Sequence, residues 1–271
     1  MSQTGILKGM VDHLDSSGAG PTQAEIEFAT AYLQPGPMDP AILARLSDPA
    51  RIAAREELEA RRRAHDWAQI GQYRDANAAL AGKQAPEAVF IGSSITEMWT
   101  MADPELFSHG IVGRGIRGQT SPQMLVRFMP DVVALRPAIV HLLGGVNDIA
   151  GNTGPSTPQD YQNNIRAMAA LAQAHGITMI LGSILPCAQH RQRIDQLNAW
   201  LQSFAQEQQL VWADYHSVLA GPDGAMRPGL ARDGLHPVRE GYALMRPVAE
   251  AALAEARQRH AQSRNTTTSA S

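Results

Sequence analysis

Ser94 and His236 are the two side chains of this sequence best suited to covalent chemistry, and each sits in a motif built from turn-forming residues. The first reads Gly92-Ser93-Ser94-Ile95-Thr96 after an apolar run, and the second reads Asp233-Gly234-Leu235-His236-Pro237 near the C-terminus. A serine attacks only when a base takes its proton, and a histidine base needs an anionic partner to fix its tautomer. Ser94, His236 and Asp233 supply these three functions, because a compact loop can bring the Asp233 carboxylate to the far nitrogen of a ring three positions later. An imidazole titrating at about pH 6.5 suits a group that accepts the serine proton and returns it to a leaving group. Two segments in between, Gly113-Arg114-Gly115-Ile116-Arg117-Gly118 and Gly144-Gly145-Val146-Asn147-Asp148, offer donors to a developing oxyanion. Those donors are the backbone N–H groups of Ser94 and Gly118 and the side-chain amide of Asn147.

Each motif also has a simpler reading. A serine at a strand-to-helix turn commonly caps the helix, and Ser93 is available for the same task. Gly-Val-Asn-Asp is a turn sequence, in which Asp148 would hold the loop through local hydrogen bonds. His141 and His216 have no acidic partner at such spacing and read as core or rim residues. Residues 113–118 also spell G-x-G-x-x-G, the dinucleotide fingerprint, which needs an apolar strand just before it and an acid about 20 positions later. Only Gly110-Ile111-Val112 precedes it, residues 134–142 contain no acid, and it follows the second expected strand instead of the first, so dinucleotide binding is disfavoured.

Taken in order, the four motifs resemble those of the SGNH subgroup of the GDSL esterases and lipases over residues 86–252. The resemblance implies that Ser94 is the nucleophile, that Gly118 and Asn147 join Ser94 in an oxyanion hole, and that Asp233 and His236 are the acid and base of the family's D-x-x-H. It implies a serine esterase cleaving carboxylic esters of small or medium acyl groups through an acyl-enzyme, with no cofactor and no metal. A thioesterase or lysophospholipase fits less well. One position departs from the pattern: the family usually has Asp directly before the nucleophile, where this chain has Ser93. That Asp is not a triad member, so its replacement bears on helix capping and serine placement, and the alternative is a binding protein of the same fold or a slow enzyme. Acyl selection is expected to depend on loops around Gly118, 151–158 and 187–193, the last short enough to suggest an open site.

The elements that must hold these groups are legible in the texture of the chain. After Gly82, short apolar runs alternate with amphipathic segments, the pattern of a parallel α/β sheet. Strands are expected at 88–91, from 111, at 138–143, 178–185 and 210–215, and helices at 121–135, 158–175, 191–208 and 239–260. In an open α/β sheet, ligands gather outside the carboxyl ends of the strands, and all the candidate groups fall there. With the resemblance, this gives a three-layer α/β/α flavodoxin-like fold with a parallel sheet and a helical N-terminal extension. The expected divisions are an extension at 1–82 packing on the main domain, a catalytic domain at 83–261, and a disordered tail at 262–271. Residues 1–20 are expected to be loosely held, a first helix to span 21–33, and Ile52, Leu58, Trp67, Ile70 and Tyr73 to form an apolar stripe on a later helix.

Composition bounds the remaining possibilities. With 271 residues, 44% hydrophobic and 18% charged, the chain can build one sizeable core. A net charge of -3 leaves no electrostatic footprint for nucleic acid, and the cluster Arg61-Arg62-Arg63 reads as a solvated helix face paired with Glu56, Glu57 and Glu59. The single cysteine, Cys187, excludes an intramolecular disulfide, and with His190 alone nearby it makes no metal cluster. No apolar run approaches the roughly 20 residues needed to cross a bilayer. No signal-peptide core stands at the start, so the expected compartment is the cytoplasm, or the periplasm or exterior had a leader been removed. The expected partner is a small-molecule ester, and nothing in the pattern specifies an oligomer.

Overall fold

Among the described residues, four α-helices precede the first strand: α1 (Gln23–Tyr32), α2 (Pro40–Leu46), α3 (Pro49–His65) and α4 (Arg74–Ala78). The computed structural model describes residues 22–34 and 36–268, so the stretch expected to be loosely held lies outside the described residues. The helix starts are written locally. Thr22 and Glu25 form a capping box at α1, while Asp39 and Asp48 cap α2 and α3, each followed by a proline at the first helical position.

The chain then alternates strand and helix: β1 (Ala88–Gly92), α5 (Ser94–Ala102), β2 (Ile111–Gly115), α6 (Ser121–Asp131), β3 (Ile139–Leu143), α7 (Val146–Ala150), α8 (Pro158–Ala174), β4 (Thr178–Gly182), α9 (Arg191–Glu207), β5 (Val211–Ala213), α10 (Tyr215–Leu219) and α11 (Arg239–Thr268). All five strands pair in parallel, in the order β2-β1-β3-β4-β5. This is the flavodoxin-like order, whose switch point lies between β1 and β3. Period-two alternation sends Ala88, Phe90, Ile139, Ile180 and Val211 to one face, under α5, α10 and α11. Val89, Ile91, Val140, Leu142 and Met179 point to the other, under α6, α8 and α9. Burial on both faces is why the strands read as continuous apolar runs.

Three expectations change. The apolar stripe does not lie on one helix: α3 ends at His65, and Ile70 and Tyr73 belong to the next, 3-10 turn at Ile70–Tyr73. There the Tyr73 hydroxyl donates to the Gly115 carbonyl, and the Arg114 guanidinium lies over the Tyr73 ring. This segment therefore sits against β2, an edge strand of the sheet. The G-x-G-x-x-G segment does not follow the second strand, because its first two glycines belong to β2 itself. A Cβ on Gly115 would fall 2.1 Å from the Glu97 nitrogen, so this glycine lets α5 lie against the strand. Finally, α11 runs to Thr268, past the expected end near 260, with the last three residues outside the described ones. Residues 248–268 contain neither glycine nor proline, so nothing stops the helix where the composition turns polar. Among the described residues, no helix is long and apolar enough to cross a membrane.

Candidate active site

The turn after β1 places Ser94 at the first residue of α5, with Ser93 as the capping position. Ser93 is buried and its side chain makes no capping hydrogen bond. Even so, Ser94 Oγ lies 2.8 Å from His236 Nε2. On the far side of the ring, His236 Nδ1 lies 2.6 Å from Asp233 Oδ2. The second carboxylate oxygen, Asp233 Oδ1, accepts the backbone N–H groups of Leu235 at 3.0 Å and His236 at 2.8 Å. Gly234, at φ 78°, makes the tight turn that lets the carboxylate fold back onto its own loop. Burial alone would raise the Asp233 carboxyl, but the hydrogen bond and charge of His236, with these N–H groups, outweigh it and hold the carboxyl well below the usual range. Asp233 therefore stays anionic beside the ring.

The remaining candidates line the same cavity, from the segments after β2 and β3. Gly118 has φ 72°, a left-handed conformation, and with Ser94 it presents a backbone N–H that has no protein acceptor among the described residues. Asn147, in the first turn of α7, donates one amide hydrogen to the Gln119 carbonyl at 2.9 Å. Its Oδ1 accepts Asn152 Nδ2 at 3.0 Å, which fixes the amide orientation and leaves its second N–H uncommitted. Ser94, Gly118, Asn147, Asp233 and His236 all line one cavity of about 560 Å³ at the carboxyl end of the sheet.

Asp148 does more than hold its own turn. Its carboxylate accepts the Ser121 N–H at 3.0 Å and the Ser121 hydroxyl at 2.5 Å, tying α7 to the start of α6. Burial pushes this carboxyl up, against the pull of the Ser121 hydrogen bonds. A second buried tie runs beneath: Arg127 pairs with Asp131 at 3.0 Å, donates to the Gly92 carbonyl at 2.9 Å and reaches Gln119 Oε1 at 2.5 Å. One guanidinium thus joins the residue before the serine turn to the residue after Gly118.

The cavity wall holds further groups that the sequence reading did not place in the site. Glu97, one turn beyond Ser94, accepts the Arg117 backbone N–H and its Nε, both at 3.1 Å, and so fixes the residue before Gly118. Burial raises the Glu97 carboxyl in opposition to Arg117. From the N-terminal helices come Phe28, Tyr32, Glu25 and Arg62; Arg117 Nη1 lies 3.5 Å from Glu25, and Arg62, expected on the solvated face, instead turns into the cavity wall with Nη1 3.8 Å from the same carboxylate. Arg61, by contrast, pairs with Glu57 on the solvated face at 2.5 Å, as its spacing predicts. None of residues 187–193 lines the cavity, whereas Gly118, Asn152 and Thr153 do. The wall expected from a loop is instead supplied largely by α1 and α3. The only local signal was the Thr22-to-Glu25 capping box, which marks a helix start and not a site.

Residues 90–244 match the model of the GDSL-like lipase/acylhydrolase family. Among solved structures, a candidate acylhydrolase from Bacteroides fragilis is 40% identical, with a TM-score of 0.67, covering 70% of this chain and 98% of its own. A GDSL-like lipase from Bacteroides thetaiotaomicron is 37% identical, with a TM-score of 0.68, covering 70% of this chain and all of its own. An acetyl xylan esterase, 19% identical over 61% of this chain with a TM-score of 0.54, shares the fold. No curated protein matches.

Proposed function

The chain belongs to the GDSL-like lipase/acylhydrolase family, the SGNH hydrolases, and from that premise we propose that it is a serine esterase working through an acyl-enzyme. The observation that carries the reading is the continuous relay of Ser94 Oγ to His236 Nε2 at 2.8 Å and His236 Nδ1 to Asp233 Oδ2 at 2.6 Å. Ser94 Oγ attacks the ester carbonyl as His236 takes its proton. The charge that forms on the carbonyl oxygen is received by the N–H groups of Ser94 and Gly118 and the free amide hydrogen of Asn147. Asp233 stabilises the imidazolium without taking the proton. Collapse of the tetrahedral intermediate breaks the bond to the alcohol oxygen, which leaves with the proton from His236. Water, deprotonated by the same ring, then hydrolyses the acyl-serine and restores the free enzyme.

The cavity wall supports a short acyl group and a polar alcohol. Glu25, Arg62, Glu97 and Arg117 sit among Phe28 and Met98, and seating a long alkyl chain there would strip charged groups of water without replacing their hydrogen bonds. Hydrolysis of p-nitrophenyl acetate is therefore expected to exceed that of the octanoate in kcat/KM. Ser94→Ala should lower turnover of the acetate at least about a thousandfold, since only the oxyanion donors and binding remain. Equal rates for the two proteins would refute the serine mechanism, and a preference for octanoate would refute the account of the wall.

A further inference from the structure

We propose that helix α1 is part of the catalytic apparatus and that Tyr32, at its last turn, is a positioning residue for the Asp233–His236 pair. The inference rests on the serine-esterase reading. It concerns a residue outside the family match, which begins at residue 90.

The loop carrying the acid and base is exposed: the His236 side chain is 27% and the Asp233 side chain 46% accessible. Such a loop needs an external anchor if the ring is to stay 2.8 Å from Ser94. Tyr32 is 3% exposed and its hydroxyl engages three residues of this loop. It accepts the Arg232 N–H at 3.0 Å, and its hydrogen is shared between the His236 carbonyl at 2.7 Å and Asp233 Oδ1 at 3.0 Å. The loop grips back, with Arg232 Nε donating to the Tyr32 carbonyl at 2.8 Å and the guanidinium lying over the Tyr32 ring. The ring also meets His236 edge-on, with centroids 6.4 Å apart. Burial above all, together with the nearby Asp233 charge, pushes the phenol up, so it remains a donor across the working range of an esterase.

Asp233 Oδ1 consequently has three donors, two from its own backbone and one from α1. These leave Oδ2 to face the ring alone. At its other end α1 meets the oxyanion side, where Glu25 pairs with Arg117 next to Gly118. Seven helical steps from Glu25 to Tyr32, about 10 Å, thus connect the partner of Arg117 to the anchor of the loop that holds the base.

Tyr32→Phe keeps the ring and its packing and removes only the hydroxyl. In the full-length chain, kcat for p-nitrophenyl acetate is expected to fall on the order of tenfold, with KM within about twofold, because geometry at the base is lost and not substrate contact. Turnover is counted per active site titrated with a fluorophosphonate, so partial misfolding does not enter. Proton NMR gives an independent readout: the low-field resonance of the His236 Nδ1–H···Asp233 bond should shift or broaden in the variant. A lowered melting temperature with unchanged turnover per titrated site and an unchanged resonance would overturn the proposal and leave Tyr32 a packing residue. Ser94→Ala, assayed in parallel, separates the two readings. If it stays fully active, the esterase mechanism itself is wrong and this inference falls with it; if it is inactive while Tyr32→Phe equals wild type, only the role of Tyr32 fails.

Discussion

Asn147 is held by two partners that have no part in the chemistry, the Gln119 carbonyl and the Asn152 amide, and this fixes where its remaining N–H points. A donor set in advance stabilises developing charge without reorganising during the reaction. Replacing Asn147 with alanine should lower kcat by about a hundred- to a thousandfold with little change in KM, as steady-state kinetics on the acetate ester would check. A rise confined to KM would place Asn147 in ground-state binding. The five residues singled out by motif type and order converge on one cavity in the fold. Tyr32, Glu97 and Asn152 were not legible because each acts through contacts whose partners its local sequence does not specify; Tyr32 and Asp233 are 201 positions apart. Tyr32 and Glu97 are also ordinary residues of amphipathic helices, and only the fold tells them from their neighbours.

Among the elements, the strands were the most legible, because a sheet covered on both faces needs unbroken apolar runs, and such runs have few other uses. Boundaries were less so. The end of α3 at His65 and the continuation of α11 to Thr268 depend on packing and on the absence of a stop signal, which periodicity does not report. The contact between α5 and β2 depends on a missing side chain: a methyl at Gly115 would lie 2.1 Å from the Glu97 nitrogen and 2.7 Å from Glu97 Cα. Because those atoms are backbone, Gly115→Ala should push α5 away and cost about 1–3 kcal/mol or more, read as a lower urea midpoint with unchanged slope. As α5 carries Ser94 on its first turn, kcat should fall as well. A variant with wild-type midpoint and rate would show that the helix can shift freely.

Across the whole molecule, the buried histidine of β3 sets a limit on acid tolerance. His141 is fully buried, stacked on Phe90 and 2.7 Å from the Tyr215 hydroxyl, and burial pushes its pKa down to about 3. Between roughly pH 6.5 and that value, the unfolded chain binds a proton that the folded one refuses. Stability should then fall as pH drops through this window, by up to about 1.4 kcal/mol per pH unit, and this contribution should be flat above it. The raised carboxyls of Glu97 and Asp148 act with the opposite sign, so the clean measurement is a difference. His141→Gln should show a shallower loss of urea midpoint than wild type between pH 6.5 and 4.5, and parallel curves would exclude His141 as the cause.

The 142 positions between Ser94 and His236 also have a meaning in time. A ribosome adding about 5–20 residues per second needs on the order of ten seconds to pass from the nucleophile to its base. Through that interval the emerging polypeptide carries a serine with nothing to deprotonate it. Under the proposed mechanism both segments are needed, so a product terminated before His236 would be inert toward esters.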